Sequence, residues 1–449
     1  MAIRSPARGL EVEPFRAVRY AEGAPGGLSR RIAPPYDVIS PAQRDALASR
    51  DPHNVVELIL PQDRPGEDRY ARAGRTWRQW LAEGVLREDA EPALYVLHQR
   101  FSWDGEPRLR RGFLARLRLR EFADGVVLPH EKTLSGPKAD RLALFQEVRA
   151  NLSPIFSLYP DERGEVDALL APAVDRLPDA AASGDDGHGP IENRLWRVGD
   201  PGVIGRVREA MAARRAYIAD GHHRYETALN YAKQADARRP DPGAPHHFVL
   251  SYFCAMSDPG LLILPTHRLL HGLPGFELER LLAAAGGEFT ITPIQEDLKE
   301  EEGRSRVLAA LREAGERRPS FLAVDRGRAA LLSLSPGLRL EGIVELPRSS
   351  EVRGLDVTLL HGLVFQRILG LSPASQERKE NLDYVKDAAE AVAAVAAGTA
   401  QAAFLLNPTR MGQVRSVAEA GKAMPQKSTF FYPKLPSGLV FNPLVPLRA

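Results

Sequence analysis

RAYIADGHHRYETALNYA, residues 215–232, is the stretch on which the reading of the chain turns. A run of aromatic and β-branched residues ends at Ala219, Gly221 supplies a tight turn, and an amphipathic helix begins within two or three residues. The first turn of such a helix presents N–H groups without intrahelical partners and the positive end of its dipole, which together make a seat for phosphate. Arg224 adds a planar, permanently charged fork suited to phosphate oxygens, and His222 or His223 can donate hydrogen bonds or move a proton. Thr227, on the next turn, joins Gly221, His223 and Arg224 as a phosphate candidate, while Asp220 can orient a histidine, hold a metal ion or cap the helix. A purely structural reading is also open: Asp220 as a plain N-cap, Gly221 as a turn residue, and two histidines covering a helix end. Neighbours on a helix point about a hundred degrees apart, whereas shared metal ligands favour i and i+4 spacing. A His-His zinc site is therefore the weaker option, here and at His246-His247.

Strand and helix patterns alternate outward from this junction, which predicts a mixed α/β (α+β) fold. Ser40-Pro41 opens a helix through Ala48, and Tyr70, Trp77 and Leu81 lie at helical spacing. Residues 93–101 and 113–122 read as neighbouring antiparallel strands, 140–148 as helix, 154–159 as strand. Past Leu270 the pattern restarts, with helices near 276–285, 299–314, 356–369 and 386–397 and a strand at 402–408. A chain of 449 residues exceeds the usual growth of one core, and a boundary near 258–275 divides it into two parts, 1–257 and 258–449. AEGAPGG (21–27), PDAAASGDDGHGP (178–190) and DARRPDPGAPH (236–246) read as flexible surface.

Composition narrows the function classes. Hydrophobic residues make up 44% of the chain and charged residues 26%, the balance of a folded globular protein. A formal net charge of +2 gives no global pull towards nucleic acid or an anionic membrane, so nucleic acid is not expected as a partner. The single cysteine, Cys254, lies in an apolar run and reads as a buried core thiol in a reducing compartment. No window approaches the roughly eighteen apolar residues of a membrane span, and the cytoplasm is the expected location. The P-loop, the dinucleotide-binding glycine motif and the nucleophile-elbow motif are absent; HEKTL (130–134) fails as a zincin motif because Leu134 stands where the second histidine must be.

Two further segments concentrate polar chemistry. VVLPHEKTLSGPKADRL (126–142) reads as a loop displaying His130, Glu131, Lys132, Lys138, Asp140 and Arg141 before a helix starts. A carboxylate beside a histidine on a rigid loop is a general-base candidate, and the lysines can neutralise phosphate charge; a solvated charged loop is the plain alternative. In 407–438, a proline-stiffened loop carries Lys427, Ser428 and Thr429 and can line the same cleft, whereas FFYPKLP reads as a hydrophobic closing segment. Asn151, Asp37 and Glu57 are lone polar residues near strand edges, for which capping or exposure is expected, with Asn151 kept as a possible cleft-lining side chain.

PPYDVIS, LPHEKTLSGPKADRL, NLSPIFSLY, IADGHHRYETAL and MPQKSTFFYPKLPSGLVFNPL occur in this order over nearly the whole chain, and together they resemble the prokaryotic family catalogued as domain of unknown function 1015. The pair PHE and DGHHRY is in turn similar to motifs of the free serine kinases of the ParB–sulfiredoxin superfamily. That resemblance implies a ParB–sulfiredoxin-like nucleotide-binding core with insertions, followed by a C-terminal mixed α/β part. It implies Glu131 as the base that deprotonates a substrate hydroxyl, and Asp220, His222, His223 and Arg224 around the transferring phosphoryl group. The function it implies is a kinase using ATP or ADP and Mg²⁺, the ion held by Asp220, with a small alcohol as acceptor, foremost free L-serine yielding O-phosphoserine. A nucleotide-binding regulator without turnover is the alternative, and a homodimer is compatible with either. A ParB-like DNA binder fits poorly without a basic surplus.

Overall fold

Close-set turns and alternating apolar residues build the large sheet of the first of two units. The computed structural model describes residues 9–21, 27–131 and 135–447, with 135–138 described by backbone alone. Most of AEGAPGG, Lys132 and the side chain of Lys138 thus lie outside the described residues. The first unit gathers residues up to Pro129, 135–262, and those from Pro433 on; the second gathers His130, Glu131 and Ile263–Tyr432.

Ten strands of the first unit share one sheet: β1 (Val12–Glu13), β2 (Leu94–Trp103), β3 (Glu106–Arg110), β4 (Phe113–Arg118), β5 (Val127–Leu128), β6 (Ile155–Tyr159), β7 (Ala180–Asp185), β8 (Pro190–Val198), β9 (Ala216–Asp220) and β10 (Phe248–Ala255). Their order is β7-β8-β2-β4-β10-β6-β9-β5, with β1 paired to β4 and β3 to β2. β6 and β10 are buried along their whole length, as unbroken apolar runs require when both faces are covered. Most pairings are antiparallel, but β10 runs parallel to β6, and β5 parallel to β9 with Leu128 opposite Tyr217. β9 and β6 are antiparallel, so β5 and β9 end on the same side of the sheet on which β6 and β10 begin. That side carries the chemistry.

Helices α1 (Pro41–Arg50), α2 (Arg69–Ala82), α3 (Ser135–Val148), α4 (Pro201–Ala212) and α5 (His222–Arg238) belong to this unit, and α3 packs against both α2 and α5. α1 begins with the capping box that Ser40 and Gln43 make possible. α5 is anchored by Tyr225, Ala228 and Ala232, a helical stripe buried with Ile155 and Ile218. The Tyr225 hydroxyl also donates to the Arg120 carbonyl at 2.7 Å.

In the second unit a six-stranded sheet joins β11 (His267–Leu270), β12 (Phe289–Ile294), β13 (Ser320–Val324), β14 (Ala329–Leu334), β15 (Leu382–Val385) and β16 (Ala402–Leu406) in the order β12-β14-β13-β16-β11-β15. Helices Leu278–Ala285, Glu301–Arg317, Ala388–Ala397 and Met411–Glu419 accompany it. The helix expected near 356–369 is α-helical only over Asp356–Leu359 and wound as a π-helix over Leu360–Ile368.

The mixed α/β class expected from the sequence is the one observed, with three local corrections. Residues 178–190 are not loose surface: Ala180–Asp185 pairs with Pro190–Val198, and the Gly- and Asp-rich stretch between is the tight connection of a hairpin. The helix after the PHE motif starts at Ser135, not near 140, because Pro137 falls in its first turn, where a missing N–H costs nothing; Asp140 and Arg141 are helical. Asn151 is neither a cap nor exposed but 1% accessible. Cys254 is a fully buried free thiol, as expected. Among the described residues, no helix is long and apolar enough to cross a membrane.

Candidate functional site

Gly221 is the one residue at this corner that no other could replace without strain. Its φ is +89°, and a Cβ there would lie 3.0 Å from the Arg224 guanidinium carbon and 3.1 Å from Ile155 Cγ2. α5 starts immediately, with Gly221 as N-cap and no side chain capping it. Asp220 is not the cap: it ends β9 opposite Phe156, and its carboxylate meets Arg224 Nη2 at 3.1 Å and Lys434 Nζ at 3.4 Å. We expect Gly221→Ala to lower unfolding stability by about 1–3 kcal/mol, read as a shifted denaturation midpoint. An unchanged midpoint would mean the turn does not hold this conformation.

Arg224 folds back over the turn and also donates to the Pro154 carbonyl through Nη1. His222 is buried on the first turn of α5, and His223 is half-exposed with its carbonyl accepting from the Thr227 hydroxyl at 2.7 Å. On α3, Arg141 lies 4.0 Å above the Tyr36 ring and donates to the Ile59 carbonyl at 2.6 Å and to Asp140 at 2.7 Å. Burial would raise the Asp140 pKa, but the Tyr70 hydroxyl, at 2.7 Å, and the Arg141 and Arg69 guanidiniums hold it below the usual carboxylate value. Burial pushes the Tyr36 phenol up, keeping it neutral beside these arginines.

Four of these side chains, Tyr36, Arg141, Arg224 and Thr227, face one cleft. It encloses about 480 Å³ counted with its open mouth, and Tyr36, Arg141, Asn151, Ser153, Arg224 and Thr227 supply its polar lining over an apolar wall of Leu144, Phe145 and Val249. Asn151 Oδ1 is committed to Leu250 N at 2.9 Å and Asn442 Nδ2 at 2.8 Å, while its own buried Nδ2 has no hydrogen-bond partner among the described residues. A buried amide donor at the wall of a cleft calls for an acceptor there.

The PHE motif belongs to the second unit. His130 is wholly buried, with Nε2 2.8 Å from Thr429 Oγ1, and Met424 N donates to the His130 carbonyl at 2.8 Å. Glu131 Oε1 accepts from Ser428 N at 3.2 Å and from Thr429 Oγ1 at 3.3 Å. Lys427 is exposed at a φ of +56°. The structure thus gathers the singled-out residues in two groups: Asn151, Arg141, Asp220, Arg224 and Thr227 in the first unit, and His130, Glu131, Lys427 and Ser428 in the second. Sequence reasoning passed over Tyr36, whose motif PPYDVIS pointed to Asp37 instead, and Lys434, hidden in what reads as a hydrophobic closing segment.

Fold and site define a mixed α/β protein of two units, with an arginine-lined cleft on the side of its large sheet where two parallel strands end. The chain belongs to the family described as protein of unknown function (DUF1015), whose model matches residues 12–358. No curated protein matches it. Among solved structures, it is similar to a conserved hypothetical protein from Pyrococcus furiosus, with 14% identity, 70% of this chain and 91% of that one covered, and a TM-score of 0.34. It is also similar to a free serine kinase variant in complex with AMP (11% identity, 68% and 84% covered, TM-score 0.35). A third is SbnI with a C-terminal truncation, from Staphylococcus aureus (10% identity, 74% and 87% covered, TM-score 0.35).

Proposed function

We propose that this chain is a phosphotransferase that moves a phosphoryl group from ATP or ADP to the hydroxyl of a small molecule, with free L-serine as the acceptor and O-phosphoserine as the product. The observation that carries this reading is the cleft of the first unit, where Arg141, Arg224, Thr227 and the Asn151 amide donor face one space beside the start of α5, which no side chain caps. Phosphoryl transfer asks chiefly for positioning and charge neutralisation, and arginine forks with helix-start amides supply both. The strand order adds support: β5 and β9 are parallel neighbours, so the segments carrying PHE and DGHHR leave from the carboxyl ends of adjacent strands, the place where open α/β sheets take ligands.

In the proposed reaction Glu131 takes the proton of the acceptor hydroxyl, that oxygen bonds to the terminal phosphorus, and the bond from phosphorus to the nucleotide's bridging oxygen breaks as ADP or AMP leaves. Gly221, His222, His223 and Arg224 surround the transferring group, and Lys132, Lys138 and Arg141 balance its charge. Asp220 now faces Arg224 and Lys434. A phosphate that draws Arg224 away frees this carboxylate to hold Mg²⁺, whose chemistry is further neutralisation of phosphate charge. The test is incubation with Mg²⁺, L-serine and ATP or ADP, followed by detection of O-phosphoserine. Nucleotide binding without any phosphoserine would make the chain a nucleotide-binding regulator instead.

A further inference from the structure

β11 carries Arg268 into the interior of the second unit, where only 1% of it is accessible. Its guanidinium donates to Lys427 O at 3.1 Å, to Thr266 O and to His361 Nε2 at 3.3 Å, and lies 5.3 Å from the Tyr384 ring centre. None of these neighbours carries a negative charge. His361 is held neutral because burial and the adjacent Arg268 pull its pKa down to about 3, and its Nδ1 is engaged by Gln376 at 2.6 Å. Burial lowers Arg268 itself to about 10, still far above neutral pH, so the charge persists. Among the described residues no carboxylate forms an ion pair with it, and Glu131 acts on it only from farther away.

A second lone charge faces the same space. Asp356 opens the helical segment whose π-wound continuation presents His361, a winding often found at functional sites. Its carboxylate accepts backbone N–H groups, its own and that of Ser320, and forms no ion pair among the described residues; Arg410 influences it only from a distance. Burial pushes it up to about 7. Arg268 and Asp356 both line one small cleft, whose remaining polar lining is Thr266, Asn407, Thr409, Gln413 and Ser428.

A buried guanidinium and a half-buried carboxyl group in one cleft, neither with an ion pair among the described residues, are costly unless a ligand completes them. From this pairing within one cleft, we infer that the second unit binds a free α-amino acid as its zwitterion, carboxylate on Arg268 and ammonium on Asp356. The guanidinium fork matches a carboxylate, and the threonine and serine hydroxyls favour a small polar side chain. The inference goes beyond the phosphotransferase reading and stands on the second unit alone, so it is tested without nucleotide.

The experiment is calorimetric titration of the full chain with a panel of the common amino acids, glycine included, and with the two halves of the zwitterion, ethanolamine lacking the carboxylate and glycolate lacking the ammonium. At least one small amino acid is expected to bind, with each half weaker by about tenfold or more. Arg268→Lys is expected to weaken the amino acid by about tenfold or more, and Asp356→Asn to weaken it while sparing glycolate, each variant checked for native circular dichroism. Halves that bind as well as the whole, no amino acid binding at millimolar concentration, or folded variants of unchanged affinity would each overturn the inference. If a variant does not fold, the comparison of whole and halves on the unaltered chain decides. Phosphoserine formation with no amino acid favoured over its two halves would leave the kinase reading standing and remove this one; amino-acid binding without phosphoserine would do the reverse.

Discussion

Glu131→Gln is expected to reduce phosphotransfer by about 10²–10⁴-fold, the usual contribution of a positioned general base, while nucleotide affinity stays nearly intact. The substitution is close to isosteric. A glutamine oxygen can still accept from Ser428 N and Thr429 Oγ1, which hold the carboxylate at 3.2 and 3.3 Å, so the local packing should survive. What it removes is the ability to take a proton. Steady-state rates together with nucleotide titration separate the two effects. Parallel loss of turnover and affinity, or full retention of turnover, would sink the assignment of Glu131 as base.

Arg224→Ala should produce the largest change in nucleotide binding, a weakening of about 30- to 1,000-fold, or roughly 2–4 kcal/mol. Two causes add. The phosphate loses a charge-assisted fork, and Asp220 loses its guanidinium partner while the Pro154 carbonyl loses a donor. Arg224→Lys should recover only part of the loss, because an ammonium restores charge without the two-pronged geometry. Calorimetric titration with ATP and ADP reads both, and an unchanged dissociation constant for the alanine variant would show that phosphate does not settle at this turn.

Local signals were legible where local physics decides the structure. The junction at 215–232 reads correctly as strand, turn and helix because a positive-φ glycine between an apolar run and an amphipathic stripe leaves few alternatives. Residues 178–190 misled because the same Gly and Asp residues that mark loose surface also make hairpin turns, and only pairing with Pro190–Val198 tells them apart. Tyr36 and Lys434 join the site from opposite ends of the chain, a separation no spacing rule spans. The meaning of Arg268 and Asp356 lies in the ionic partners they lack among the described residues, which no sequence displays.

The stretch from Pro433 on belongs to the first unit, although the second unit precedes it along the chain. Phe441 hydrogen-bonds through its backbone to Val18 and packs edge-on against Trp77, and Asn442 supplies the amide that holds Asn151. On the ribosome, then, the packing around Trp77 and the NLSP corner waits for residues that follow the whole second unit, while residues 263–432 can collapse earlier. Contacts spanning so much of the chain slow the search for the native state, so this half of the molecule is the one most exposed to chaperones and proteases during its birth.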